Sequence, residues 1–231
     1  MPSDIANTKE KSEVQEFIDD RLSFTRKVLG IVATQLLVSM GICVCASYYE
    51  NFGYVMQQWW MMMITIIVMV VVIFPLILFR KKVPINYALL FTFTVCEAFV
   101  FASLTALLTT ESVLVACGVL SATVTCLCGG IVICPSFKKA LVFLGVAAVA
   151  SIVCQIIMLS LLWQALWFST VNVVYWGICG AIIMSVYVII DLLYVMVAVP
   201  TDDYIMGSLM LYADIMRMFM YILMIFGKAK K

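Results

Sequence analysis

Residues 186–227 read VYVIIDLLYVMVAVPTDDYIMGSLMLYADIMRMFMYILMIFG, two apolar runs that are each interrupted by one aspartate and joined by a short acidic turn. If both runs are helical, Asp191 and Asp214 each lie between eleven and twelve residues from the centre of the turn. The two side chains should therefore face each other at one depth, roughly 17 Å from the turn at about 1.5 Å per residue. Carboxylates are costly at that depth in a membrane, so the pair predicts a functional site.

The composition places the whole chain in a membrane. It is 65% hydrophobic and 12% charged, with a mean hydropathy of +1.15, outside the range of soluble globular domains. The net charge of +1 and the scattered charges argue against a nucleic-acid partner or an acidic substrate. The nine cysteines lie in apolar runs, where they behave as small hydrophobic residues. The absence of histidine removes the usual nitrogen ligand of zinc and disfavours a membrane metallohydrolase, and we expect that the protein is not an enzyme.

Apolar segments long enough to cross a bilayer fill the chain from residue 28 onward and predict an all-α membrane protein. A polar segment of mixed charge, residues 1–26, precedes them, and we expect no cleaved leader there. We interpret residues 27–227 as one seven-span domain and residues 228–231 as a short basic tail. The predicted spans are 28–48, 55–79, 86–108, 112–134, 140–162, 167–193 and 204–226.

The basic residues of the short loops alternate along the chain and predict an orientation. Arg80, Lys81 and Lys82 follow the second span, and Lys138 and Lys139 follow the fourth. By the positive-inside rule, the amino terminus and the loops after the second, fourth and sixth spans are cytosolic. Seven crossings would place the lysines of the tail on the far side. Either this last signal is too weak to matter, or the last segment is re-entrant and returns to the cytosol.

The two aspartates predict a site that responds to protons. Two carboxylates that face each other in a low dielectric cannot both stay ionised cheaply, so we expect Asp191 and Asp214 to share a proton and to titrate as a coupled pair. A shared proton ties the two helices, whereas its loss leaves two charges that repel each other or attract a cation. Calcium prefers about six to eight oxygen ligands, so two aspartates predict transient contact rather than tight storage. The alternative is that salt bridges to Arg80 and Arg217 only fix helix packing.

Two further ionisable residues lie in or beside the spans. Arg80 ends the second span and is either an interfacial residue that sets topology or a partner that reaches inward to Asp191. Glu97 falls near mid-membrane in the third span, where it is either a second proton or cation site on the same path or a neutral carboxyl bonded to a neighbouring hydroxyl. Asp202 and Asp203 predict a solvated turn and the cap of the last helix.

An ordered set of short motifs resembles the transmembrane Bax inhibitor motif family, also called the lifeguard family, over about residues 24–227. No single motif is specific, but their order and spacing match. A Pro-x-Asn segment followed by a glutamate in the third span is most similar to the Golgi anti-apoptotic protein branch. The motifs are Arg26-Lys27-Val28, Pro84-Ile85-Asn86, Phe91-Thr92-Phe93-Thr94, Glu97, Asp191 and Ser208-Leu209-Met210-Leu211-Tyr212-Ala213-Asp214.

The resemblance implies a bundle of seven helices with the last helix at its centre, in the membranes of the Golgi, the endoplasmic reticulum or the cell surface. It implies a pH-sensitive calcium leak that lowers store calcium and inhibits apoptosis, with calcium as the permeant ion and no cofactor. In that family, the aspartates at the positions of Asp191 and Asp214 form the proton-sensing pair. An arginine at the position of Arg80 latches onto the first of them.

Arg217 departs from the family pattern, which commonly has asparagine at this position. At i+3 from Asp214 it lies on the same helix face, favours the ionised carboxylate and weakens a shared proton. It also places a positive charge near a cation path. Asp191 is followed by Leu192, where the family usually has a polar residue, so local hydrogen bonding should be weaker. Both departures predict altered conduction.

The main alternative is a non-conducting membrane protein that binds and restrains other channels or death-pathway proteins, with the buried charges serving only the fold. A seven-helix receptor is disfavoured because 231 residues leave almost no extramembrane surface. A retinal pump is disfavoured because residues 204–226 contain no lysine. The sequence therefore predicts a calcium-permeable channel whose partners are membrane lipid, calcium ions and either other channels or apoptosis regulators.

Overall fold

A computed structural model describes residues 2–133 and 173–230 of the chain. Within these ranges the backbone forms helices joined by short turns. Apart from an isolated β-bridge between Leu108 and Ala229, the described residues contain no extended pairing. The helices are α1 (Pro2–Tyr48), α2 (Glu50–Met56), α3 (Trp59–Leu78), α4 (Ile85–Thr105), α5 (Thr110–Ile133), α6 (Val173–Val197) and α7 (Tyr204–Phe226).

Six of the described helices are long and apolar enough to cross a membrane. They correspond to all the predicted spans except the fifth, 140–162, which lies outside the described residues together with Lys138 and Lys139. The prediction of an all-α membrane protein is thus confirmed for the part of the chain that the structure covers. The candidate spans are Gln15–Tyr48, Trp59–Leu78, Ile85–Thr105, Thr110–Gly129, Trp176–Val197 and Tyr204–Phe226.

The polar amino-terminal segment is continuous with the first span, since α1 runs unbroken from Pro2 to Tyr48. Leu22, Phe24 and Thr25 are already buried, although they precede the predicted start of the span. Arg21 donates from Nη1 to the carbonyl of Val199 in the turn between α6 and α7. The first span therefore joins the bundle before its strongly apolar stretch begins.

The second span begins later than the hydropathy pattern suggested. Residues 50–56 form the short helix α2, and Gln57 and Gln58 separate it from α3. The backbone amide of Gln57 bonds to the carbonyl of Gly53, which ends α2, and Gln58 is the extended residue before α3. Gln57 and Gln58 therefore mark a break between two helices. The hydropathy pattern did not show it, because apolar residues lie on both sides.

Helices α6 and α7 form the most extensive contact among the described helices. The ring of Tyr221 on α7 occupies the space that a Cβ atom at Gly180 would need, and Ile225 does the same at Gly177. These glycines allow the close helix packing that small residues permit in membranes. Helix α7 also contacts α1, α4 and α5. Its fully buried side chains include Ile205, Leu211, Tyr212, Ile215 and Phe219.

The bundle has two ends, which we call the hairpin end and the tail end. The hairpin end carries residues 79–84 and 198–203, and the tail end carries residues 106–109 and 227–230. At the tail end, the amide of Thr109 donates to the carbonyl of Lys228 over 2.8 Å, and the amide of Lys230 donates to Leu107 over 3.0 Å. Helix α7 runs between the two ends without a break. Of the two alternatives for the last segment, this unbroken helix favours the full crossing.

This topology predicts that tags at the two termini face opposite sides of the membrane. Residues before Arg21 extend past the hairpin end, whereas Lys230 is held at the tail end by its bond to Leu107. In intact microsomes, added protease should remove one of two epitope tags, placed before Met1 and after Lys231, and spare the other. Detergent should expose both tags and serves as the control. Removal of both tags without detergent would show that α7 returns to its starting side.

Candidate functional site

The structure brings the two predicted aspartates together between α6 and α7. Asp214 is only 8% exposed and Asp191 is half-buried. Their carboxyl groups face each other closely enough to interact electrostatically. The short 198–203 turn between the helices produces this meeting, because it keeps equal lengths of the two helices side by side.

Arg217 is the immediate partner of Asp214. Its Nη1 atom donates to Asp214 Oδ1 over 2.5 Å, one turn further along the same helix. The Asp214 side chain is 12% exposed, whereas that of Arg217 is 61% exposed. The guanidinium therefore covers a buried carboxylate from its open side, and it also acts electrostatically on Asp191.

Glu97 extends this group of charges to a third helix. It lies past the middle of α4, and its Oε2 atom is buried without a hydrogen-bond partner among the described residues. Its carboxyl group interacts electrostatically with Arg217 and with Tyr212. Glu97, Asp191, Asp214 and Arg217 thus form one mid-helix cluster. Three carboxyl groups and one guanidinium leave an excess of two negative charges when all four are ionised.

Arg80 does not reach Asp191 in the structure. Its Nη1 atom pairs with Asp203 Oδ2 at 2.9 Å, at the hairpin end. Asp203 lies at the level of the loop that follows α3, whereas Asp191 is six residues, about 9 Å, deeper along α6. The latch expected between Arg80 and Asp191 is therefore replaced by a contact with the acidic turn.

Of the two turn aspartates, Asp202 is solvated as expected, whereas Asp203 is buried. Asp203 is only 3% exposed, and its side chain makes no capping bond although it precedes α7. Asp202 is exposed and accepts a 2.7 Å bond from Lys81 Nζ, which holds the pKa of its carboxyl below the ordinary value. A lowered pKa stabilises the fold above the pKa of the unfolded side chain. This contribution is lost as the pH falls through the lowered value.

Sequence analysis did not identify a group of neutral polar residues beside the cluster, which we call the polar seam: Gln35, Ser39, Thr94 and Tyr212. The Tyr212 hydroxyl lies 2.7 Å from Ser39 Oγ, and Gln35 Nε2 donates to Thr94 Oγ1 over 2.8 Å. All four residues are buried. The signal available in the sequence was the single amide of Gln35 within an apolar run.

No group of three or more His, Cys, Asp and Glu side chains is placed to hold a metal ion among the described residues. Asp191 and Asp214 therefore offer two carboxylates without a third acidic ligand. Calcium usually takes about six to eight oxygens, so the donor set suits a passing ion that keeps most of its water.

Two comparisons with known proteins match most of the chain. A family model described as Inhibitor of apoptosis-promoting Bax1 matches residues 21–231. Protein LIFEGUARD 4 of Arabidopsis thaliana is 29% identical over 217 residues, which cover 91% of this chain and 86% of that protein. No solved structure matches the chain at a significant level. The family match includes every residue of the mid-helix cluster.

The buried ion pair at the hairpin end should contribute measurably to stability. We expect Arg80→Ala to lower the free energy of unfolding by about 2 kcal/mol, because the buried Asp203 carboxylate loses its charged partner. The value is smaller than for a fully buried pair, since the Arg80 side chain is 39% exposed. Thermal unfolding in detergent micelles measures the change.

Lys81→Ala is the matched control, because it removes a pair whose two side chains are both exposed. Its stability should remain almost that of the wild type. The charge exchange Arg80→Asp with Asp203→Arg should recover part of the loss. Equal effects of Arg80→Ala and Lys81→Ala would contradict the difference in burial.

Proposed function

Because this chain belongs to the Bax inhibitor family of membrane proteins, also called the lifeguard family, we propose that it is a pH-sensitive, calcium-permeable leak channel of intracellular membranes. By lowering store calcium in the Golgi or the endoplasmic reticulum, the leak would inhibit apoptosis. The observation that carries this proposal is the mid-helix cluster, in which carboxyl groups from α4, α6 and α7 converge within apolar helices.

Proton exchange at Asp191 and Asp214 is the proposed gate. With one proton between them, the carboxyl groups can hold α6 against α7 through a hydrogen bond. When that proton leaves, the added negative charge favours separation of the helices or the approach of a cation. Among the described residues, the charged group that acts on this pair is Arg217 on α7, which also interacts with Glu97 on α4. Their charges affect how readily the aspartate pair gains or loses its proton.

Calcium enters this mechanism as the transported ion. A hard divalent cation prefers oxygen ligands, which the carboxylates of Asp191 and Asp214 provide. The exposure of the Arg217 side chain, at mid-depth of a candidate span, supports an aqueous path beside the cluster, because a charge facing lipid would be very costly. Ions would pass along this path with most of their hydration water.

The orientation follows from the basic residues near the hairpin end. Arg80, Lys81 and Lys82 support a cytosolic hairpin end and a cytosolic amino terminus by the positive-inside rule. Contacts of α7 with α1, α4, α5 and α6 support a central position for the last helix. In this arrangement, Arg80 latches the cytosolic end of the α6–α7 hairpin through Asp203.

One observation favours the alternative of a non-conducting regulator. Arg217 neutralises Asp214 from within the same helix, as it would if the charges served only to complete the fold. Such a protein would bind and restrain other channels or apoptosis regulators. Ion flux through the purified protein in liposomes separates the two functions.

Wild-type protein in liposomes should pass calcium down its gradient, at a rate that rises between about pH 6 and pH 8 as the aspartate pair loses its shared proton. Asp191→Asn and Asp214→Asn should each change the rate and flatten this pH dependence, because an amide does not titrate. Entrapped calcium-sensitive dye measures the flux. Asp202→Asn is the control, since Asp202 lies in the exposed turn and should leave the profile unchanged. No flux above empty liposomes would favour the regulator.

Removing the positive charge of Arg217 should increase cation flux. Arg217→Asn leaves the cluster with three carboxyl groups and no counter-charge, so it should attract calcium more strongly and hold a shared proton at higher pH. Arg217→Lys keeps the charge and should resemble the wild type. The same liposome assay, titrated over pH, compares the three proteins. Equal flux and equal pH midpoints for Arg217→Asn and the wild type would overturn the role given to Arg217.

A further inference from the structure

The polar seam contains a buried oxygen, Gln35 Oε1, that accepts no hydrogen bond from the described residues. Gln35 is 5% exposed, and its Nε2 atom donates to Thr94 Oγ1, whose own proton goes to the carbonyl of Leu90 over 2.9 Å. The Oε1 atom of Gln35 has no hydrogen-bond partner among the described residues. Rotating the amide would only exchange an unpartnered acceptor for an unpartnered donor, since Thr94 Oγ1 is the one atom to which the amide bonds in the described part of the chain. A polar atom is costly to bury in this way.

Tyr212 and Glu97 add further acceptor capacity to the same region. Ser39 Oγ donates to the carbonyl of Gln35 over 2.9 Å and lies 2.7 Å from the Tyr212 hydroxyl, which also donates to the carbonyl of Thr94 over 3.4 Å. The phenol oxygen is left with its lone pairs. Glu97 interacts electrostatically with this hydroxyl, and its Oε2 atom is the second unpartnered oxygen.

The balance of donors and acceptors identifies the class of ligand. The buried side-chain atoms without partners in the described residues are all oxygens: Gln35 Oε1, Glu97 Oε2 and Asp203 Oδ1. Gln35 and Tyr212 both bond to Thr94, and Glu97 lies one turn beyond Thr94 on α4, so two of the three oxygens belong to residues near Thr94, where an excess of acceptors favours a cation. Gln35 and Thr94, but not Tyr212 or Glu97, also line a cleft of about 270 Å³ between α1 and α4, so the cleft reaches one side of this group. Such a cleft has room for several water molecules, each occupying about 30 Å³.

We propose that Gln35 Oε1, Tyr212 Oη and the Glu97 carboxylate form a second coordination site for the permeant cation, separate from the aspartate pair. The inference rests on the proposed function and adds to it a place where the ion loses part of its hydration shell. Glu97 connects the two sites, because its carboxyl group interacts with both Tyr212 and Arg217. Asp214 and Tyr212 are two residues apart and lie on opposite faces of α7, so an ion would pass around this helix, by way of Glu97, from the aspartates to the second site.

Gln35→Met tests the site, because methionine has a similar length and lacks the amide oxygen. In liposomes it should lower calcium flux about fivefold, the effect of losing an interaction comparable to one hydrogen bond. It should also lower the ratio of calcium to potassium flux. Gln35→Glu places a charged oxygen at the same position and should raise that ratio. Gln58→Met, at the tail end, is the matched control and should change neither quantity.

Thermal unfolding provides a readout independent of transport. Gln35→Met should unfold at or above the wild-type temperature, since it removes an unpartnered buried oxygen. Calcium should raise the Tm of the wild type and of Gln58→Met but not that of Gln35→Met. If the wild type conducts and Gln35→Met keeps its flux ratio, the second site is wrong and the leak stands. If the wild type does not conduct but loses its calcium-dependent Tm shift through Gln35→Met, the leak is wrong and the site stands.

Discussion

Charge placed in the middle of a bilayer must be neutralised, protonated or given access to water, and the bundle is arranged around this constraint. The charge of Asp214 is neutralised by Arg217, which binds this carboxylate from the next turn of α7. In the ranges that the structure covers, Asp191 and Glu97 have no such dedicated counter-ion and interact with the same guanidinium. One arginine therefore serves three carboxyl groups. Any change in protonation or in the position of Arg217 alters all of them together.

The hairpin end operates in a different electrostatic regime from the cluster. Lys81 and Asp202 face water, where their attraction is weak and screened by salt. Arg80 and Asp203 form a partly buried contact between the α3–α4 loop and the α6–α7 turn. The two ion pairs thus hold the α6–α7 turn against the α3–α4 loop, and solvent screens part of their attraction. The aspartates that we propose as the gate lie deeper, where desolvation strengthens each interaction.

Features that depend on one continuous stretch of sequence could be predicted well. The six described spans follow from hydropathy, and the approach of Asp191 to Asp214 follows from their equal distances to one short turn. Features that depend on how separate helices are aligned with each other could not be predicted from the sequence. Arg80 pairs with Asp203 and not with Asp191. Which of these two aspartates it meets depends on the depth of the α3–α4 loop relative to the α6–α7 hairpin.

The polar seam illustrates the same limit. Gln35 contacts Thr94 across 59 positions of sequence, and Ser39 meets Tyr212 across 173. No local pattern relates such residues, so the seam is defined by the docking of α1 against α4 and α7. The length of α1 has a mechanical consequence. Its 47 residues extend about 70 Å at 1.5 Å per residue, more than twice the hydrocarbon thickness of a bilayer. A load applied to the protruding half would be transmitted through a stiff rod to Gln35 and Ser39, so the amino terminus is mechanically coupled to the interior of the bundle.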